Sequence, residues 1–396
     1  MKKHLVLGAL AVLALAACTK SEVVELNRGN EISLSAVSGK NLTKAADGYC
    51  NNVKPEDFQV WAATQGKTYF ADQKYEKSGS SYRADGAARY WPDGTVDFFA
   101  AKNYKGAGAT PATANLTPTA GSTKLTVTGY EVSSTVSAQT DFIYAVKKNA
   151  TKSSTATPLN FRHALSQIEF QAKNANQNIY VYIDGVQVVN VKNAGTFTMT
   201  DATEDQFIDP DLDDTDTDTR ANRGVWSAHS GNGTYAVDFG SPIPVPYGPS
   251  ATKLTNTTVN QYTNYSMYLL PQTLDNVWGG KAADGAASSS TKTYFVVSAL
   301  IYNVADPTVT PFVPADNVVL WGDNSSGSYK PKNIAVQVDT GMEWKDGFRY
   351  VYTFNFTNYG VGGTDPDSGD PVLTPITLTV TVDDFVDYGN TDVEVK

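Results

Sequence analysis

Residues 178–191 read NIYVYIDGVQVVNV, and their alternation decides the class of fold. Ile179, Val181 and Ile183 fall on one face and Tyr180 and Tyr182 on the other, the period of two that marks a β-strand. Asp184-Gly185 follows, a pair that accepts positive φ at both positions and so favours a type I′ turn. The spacing therefore predicts a β-hairpin that reverses at Asp184-Gly185.

Outward from this stretch the same alternation recurs in residues 124–132 (KLTVTGYEV), 293–304 (TYFVVSALIYNV), 349–356 (RYVYTFNF) and 375–382 (PITLTVTV). Gly, Asn, Asp and Pro clusters separate these runs, the pattern of an all-β chain built from β-sandwiches. Residues 110–123 and 149–158 are small, polar and turn-rich, which predicts loops, the second of them a domain boundary. A short helix near Glu56 or over residues 162–165 would leave the class unchanged. A length of 396 residues usually means two domains. The net charge of -10 argues against nucleic acid as a partner. Of the two cysteines, Cys18 and Cys50, the first has a different use, described below, so packed sheets rather than disulfides must supply the stability.

Residues that carry chemistry are sparse. After the first 17 residues only His163 and His229 remain of three histidines, and neither has the spacing of a metal site or of a Ser-His-Asp set. His163 sits in residues 160–166, ahead of the strand-like run 167–172, where a structural histidine at a domain start is expected. The acidic run 209–218, DPDLDDTDTD, offers Asp209, Asp211 and Asp213 to a hard cation. It lacks the glycine and closing glutamate of an EF-hand loop, and a solvated acidic loop is the other reading. Trp226, Trp278 and Trp321 would bind sugar if exposed and pack the core if buried. No cofactor is expected, and nothing in the sequence supports an enzyme.

The first residues carry an export signal. A basic start leads into the apolar run 5–17, too short to span a bilayer, and Leu15-Ala16-Ala17-Cys18 matches a lipobox in which Cys18 is acylated before cleavage. Each buried acyl methylene contributes about 0.8 kcal/mol, so a multiply acylated Cys18 holds the precursor to a membrane. Close behind comes a one-face-apolar strand, residues 31–37, with Ile32, Leu34 and Ala36 alternating with serines. Lys40 and Lys44 follow, where a trypsin-like protease can cut. A sheet that loses its first strand is left with an apolar groove and unpaired backbone groups, which another strand can fill. The C-terminal strand supplies suitable side chains in Ile376, Leu378, Val380 and Val382, with Val393 and Val395 beyond. These strands complete their own sheet before assembly in one reading and extend to a neighbour after it.

The lipobox, the strand followed by Thr43-Lys44-Ala45, the segment Phe161-Arg162-His163-Ala164-Leu165-Ser166, Tyr268-Leu269-Leu270-Pro271-Gln272, and Trp344-Lys345-Asp346-Gly347 leading into Tyr350-Val351-Tyr352 occur in an order that resembles the fimbrillin family, subunits of type V pili. The resemblance implies two β-sandwich domains in tandem, transthyretin-like with Greek-key connections, at residues 45–157 and 158–396. A signal peptide over 1–17 and a propeptide over 18–44 that includes the removable strand would precede them. It implies a lipoprotein precursor in the outer membrane, a cut after Lys44 (Arg28 or Lys40 as alternatives), and a head-to-tail homopolymer with other pilin subunits in a cell-surface fimbria. Lys44 departs from the arginine at which family pilins are often cut. A host or bacterial surface ligand would be its adhesion target. A tip or anchor subunit, or a surface glycan-binding lipoprotein, are the alternative readings.

Overall fold

The computed structural model describes residues 30–37, 55–119, 122–200, 224–255, 266–279, 287, 291–308, 310–324, 329–357, 364–368 and 376–384. They form the all-β chain expected, and short 3-10 turns such as Val136–Ala138 and Pro314–Asp316 stand where the chain turns.

Eight strands make the first sheet: β1 (Leu34–Val37), β2 (Asp57–Thr64), β3 (Lys67–Ser78), β4 (Ser81–Ala84), β5 (Val96–Lys102), β8 (Ile143–Ala150), β9 (Thr157–Asn160) and β10 (Arg162–His163). Their spatial order is β10, β8, β5, β2, β3, β4, β1, β9. The strands at the two ends, β9 and β10, are one run of chain interrupted only at Phe161. The sheet therefore curls round until its ends meet, and it encloses a core of its own. Phe58, Val60 and Ala62 of β2, Phe98 and Ala100 of β5, and Ile143 and Ala145 of β8 point inward with Phe161. The alternate residues Trp61, Phe99, Ala101, Tyr144 and Val146 point outward into a second core. Strands apolar on both faces, such as DFQVWAAT and VDFFAAK, are what this double burial requires.

Against the outer face lies a four-stranded sheet, ordered β14, β13, β7, β6, with β6 (Thr113–Thr117), β7 (Lys124–Glu131), β13 (Ala194–Thr200) and β14 (Val225–Ser230). The loop expected over residues 110–123 thus contains a strand, β6, an edge strand whose side chains are exposed or half-buried. Small polar residues there reflect a solvent-facing edge rather than irregular chain. Pairing crosses the 157/158 junction: β13 joins β7, β9 joins β1, and β10 joins β8.

The remainder packs two further sheets on the same outer core. One places β11 (Ser166–Asn174) beside β16 (Thr252–Lys253), β17 (Met267–Leu269) and β23 (Phe348–Phe356), with β24 (Ile376–Asp384) outermost on β23. The other places β12 (Ile179–Val191) between β15 (Gly233–Val245) and β19 (Tyr294–Asn303), and β20 (Val318–Trp321) and β21 (Lys332–Val336) pair with β19. β18 (Gln272–Leu274) pairs with β22 (Met342–Trp344). The residues expected to be helical, Glu56 aside, lie in β10 or lead into β11.

The hairpin expected at Asp184-Gly185 is absent. β12 runs straight through it, paired on both sides, and its register to β15 and β19 shifts between Ile183 and Gly185. That bulge resets the alternation: Ile179, Val181 and Ile183 face the large core, then Val186 and Val188, and after a second shift Val191. A Cβ at position 185 would stand 2.8 Å from the Val237 carbonyl oxygen. The glycine serves close strand approach, not a turn.

Candidate functional site

β1 is held from both sides. It runs parallel to β9, with Leu34 opposite Thr157 and Ala36 opposite Leu159, and antiparallel to β4, with Leu34 opposite Tyr82. Just ahead of it, the Ile32 N–H donates to the Arg89 carbonyl at 2.7 Å and the Trp91 N–H to the Asn30 carbonyl at 3.0 Å. The Thr157 N–H donates to the Ser33 carbonyl at 2.8 Å. Ile32 and Leu34 are both 0% exposed and Ala36 is buried, within the enclosed core that holds Phe58, Tyr75, Tyr82, Leu159 and Phe161. Glu31 bridges to Tyr90 and forms an ion pair with Arg83 of β4. Its alternation with half-buried serines is the reason so short a segment forms a strand here.

β1 is therefore the stave that closes the curled sheet. Taking it out would separate β4 from β9 and open the enclosed core along that seam. The fully buried side chains of Leu34 and of Ile32 just ahead of the strand contribute about 1.5–3 kcal/mol each. A row of backbone donors and acceptors on β9, and those at Tyr82 of β4, would lose their partners, at about 1 kcal/mol for each bond.

The C-terminal strand occupies a different place. β24 pairs antiparallel with β23 over nine consecutive positions, from Phe356 opposite Ile376 to Phe348 opposite Asp384. Ile376 is buried, Leu378 and Val380 pack partly against the large core, and Val382 is 49% exposed. Among the described residues no strand pairs with its outer edge. Earlier in the chain, Asp365 is buried and ion-paired with Lys332 of β21, and Thr364 exchanges backbone hydrogen bonds with Ala335 at 2.7 and 3.0 Å. Burial alone would push the Asp365 carboxyl up, but Lys332 and the N–H groups of Asp367 and Ser368 outweigh it and hold the group below its ordinary range.

Three of the sequence motifs meet at one junction, which sequence reading did not foresee. Ser166 Oγ donates to the Lys345 carbonyl at 2.9 Å, and the Gly347 N–H donates to the Leu165 carbonyl at 2.9 Å. Ser166 lies opposite Leu269, and Gln272 opposite Trp344. The junction buries Phe161, Arg162, His163, Ala164, Leu165 and Ser166 at the point where the chain leaves the curled sheet for β11. His163 is structural, as expected: it is 0% exposed and its Nδ1 lies 2.7 Å from Asp141 Oδ2. His229 Nε2 donates to the Pro271 carbonyl at 2.8 Å, a separate contact.

Trp278 is buried, Trp226 is partly buried against Tyr130, Phe142 and Phe197, and Trp321 lies under the Lys332 ammonium. All three make internal contacts. No group of three or more His, Cys, Asp or Glu able to hold a metal occurs among the described residues. Cys18, Arg28, Lys40, Lys44, Asp209, Asp211, Asp213, Val393 and Val395 lie outside the described residues.

A fimbrial protein from Bacteroides vulgatus aligns over 90% of this chain and 100% of its own, at 13% identity and a TM-score of 0.50, a likeness of fold. A fimbrilin from Porphyromonas gingivalis aligns over 90% of this chain and 98% of its own, at 12% identity and a TM-score of 0.39. No curated protein matches. The fimbrillin-like family profile matches residues 24–384, and the chain belongs to that family, which is structural and not enzymatic.

Proposed function

We propose that the protein is a pilin subunit of a cell-surface fimbria that serves adhesion or biofilm formation. In this reading it is exported to the outer membrane as a lipoprotein acylated at Cys18. A cut after Lys44, or after Lys40 or Arg28, severs the segment that carries β1, and a C-terminal donor segment of another copy takes the vacated place. Head-to-tail contacts of this kind do not close, so they grow filaments.

The observation that carries the reading is the seat of β1. Leu34 of β1 and Ile32 just ahead of it are fully buried, and β1 lies between β4 and β9, so a strand laid in the same place would meet the same apolar core and the same backbone partners. Lys40 and Lys44 follow it in sequence. Severed β1 still holds its place through burial and backbone bonds, so exchange rather than spontaneous loss is the expected course. A donor that restores both terms recovers what the departing strand gave up, less the cost of association. Family membership and the likeness to a fimbrial protein support the same reading.

Limited trypsin digestion of the protein without its signal, followed by intact mass and electron microscopy, tests it. Cleavage at Lys40 or Lys44, with a resistant remainder that forms ladders or filaments, is the expected result. A chain whose β1 segment resists cleavage and which stays monomeric overturns the reading.

A further inference from the structure

The face of the β12–β19 sheet that turns away from the large core is covered unevenly. At one end Val189 of β12 and Tyr294 and Val296 of β19 are buried with Trp278, Ala287 and Ala335 in a small core of their own. Towards the other end the same face carries Tyr180 and Tyr182 of β12 and Tyr302 of β19. Phe312 stacks on Tyr180 with ring centroids 4.1 Å apart and meets Tyr302 edge-on. Tyr329 stands at 79° to Tyr182 with centroids 5.1 Å apart. Tyr180, Tyr182 and Phe312 are half-buried and Tyr329 is 40% exposed, so this end of the face presents aromatic surface to solvent.

All of these rings but Phe312 carry hydroxyls, and the hydroxyls gather. Burial first, and then the Tyr329, Tyr180 and Tyr302 hydroxyls, push the Tyr182 phenol up. Tyr302 is 0% exposed, and its Oη has no hydrogen-bond partner among the described residues. A buried hydroxyl left unpaired is costly, so it marks a place where a bound molecule can supply what the fold does not. The charges beside these rings in the chain are matched internally: Lys330 pairs with Asp323 at 3.4 Å, and Asp306 accepts from the N–H and Oγ1 of Thr308. Aromatic faces, hydroxyls that both donate and accept, and matched charges suit an uncharged sugar, whose ring has a flat C–H face and a rim of hydroxyls. Five rings make a small patch beside the roughly 20–30 residues a side of a stable protein interface, which favours a sugar over a second copy of the chain.

We propose that Tyr180, Tyr182, Tyr302, Phe312 and Tyr329 form a binding site for a neutral glycan. A sugar ring stacks at the Tyr182 and Tyr329 corner, and its hydroxyls bond to the phenols, reaching Tyr302 Oη directly or through one water. The inference rests on the adhesion role proposed above and names the class of ligand; it does not depend on strand exchange.

Binding is measured with the uncut protein on an array of immobilised neutral oligosaccharides of glucose, galactose, mannose and N-acetylhexosamines, with sialylated and sulfated forms beside them. The wild type should bind one or more of the neutral forms. Tyr329→Ala should weaken that binding about tenfold, as expected when an aromatic anchor of a small site is lost. Tyr302→Phe should weaken it about fivefold while the thermal midpoint holds or rises, because the ring stays and only an unpaired hydroxyl goes. Tyr247→Ala, at an exposed ring elsewhere on the surface, should change nothing. No binding to any neutral glycan, binding confined to the sialylated or sulfated forms, or binding that survives Tyr329→Ala or Tyr302→Phe overturns the inference. Self-association of the uncut protein that Tyr329→Ala abolishes overturns it as well and assigns the patch to a second copy. Each of these results leaves strand exchange standing, since that is judged by filament growth of the cut protein.

Discussion

Ser166 Oγ donates to the Lys345 carbonyl across 2.9 Å, joining residues 179 apart in sequence. The bond ties the first residue of β11 to the turn before β23, its parallel partner. Ser166→Ala leaves a buried carbonyl with one bond fewer and should lower stability by about 1–2 kcal/mol. Urea denaturation followed by Trp fluorescence reads the shift, and an unchanged midpoint would show that the junction is held elsewhere.

Gly185→Ala tests the bulge in β12. The added methyl would meet the Val237 carbonyl at 2.8 Å, a backbone atom that cannot swing aside. The expected cost is about 1–3 kcal/mol, seen as a lower thermal midpoint. A hairpin turn at this site would tolerate the change far better.

Leu34→Ala should loosen β1 selectively. Truncating a fully buried leucine costs about 2–5 kcal/mol, here confined to one short strand and its seam. Trypsin should then release the N-terminal segment faster than from wild type, while the remainder keeps its circular dichroism. Equal release rates would mean that β1 is not the limiting element.

Deleting residues 383–396 should leave a folded monomer that cannot join a fibre, because the segment after β24 is gone while Ile376, Leu378 and Val380 keep their places on the core. Size-exclusion chromatography and electron microscopy of the cut protein check this. Normal fibres from the deletion would remove the tail from assembly.

Asp365 gives the C-terminal region an acid dependence. Its folded carboxyl lies below the ordinary value of 3.8, so the stability contributed by Lys332 is complete above about pH 4 and is lost as the pH falls through the lower, folded value. Asp365→Asn should flatten the fall in thermal midpoint between pH 4 and pH 2. An identical acid profile in the variant would assign that fall to other carboxylates.

The strands with unbroken alternation were legible: 293–304 is β19, 349–356 is β23 and 375–382 is most of β24, each within a residue or two. Asp184-Gly185 misled because a turn and a bulge ask for the same residues, and only the strands on either side of β12 tell them apart. The curling of the first sheet had a signal in VWAA and FFAA, apolar on both faces, whereas the meeting of its two ends at Phe161 depends on pairing between distant segments. For the site, the alternation of Ile32, Leu34 and Ala36 was readable and their burial follows from it. The Glu31 and Arg83 pair was not, since charges 52 residues apart carry no spacing rule.

The nine rungs between β23 and β24 run in register without a bulge. In an antiparallel pair the hydrogen bonds stand perpendicular to the strands. Tension drawn along the strand axis is therefore shared by every rung at once, whereas a pull across it meets them one at a time. A filament joined through the residues beyond Asp384 would transmit its load into the subunit through this ladder, and its tensile strength would depend on keeping that pull in shear.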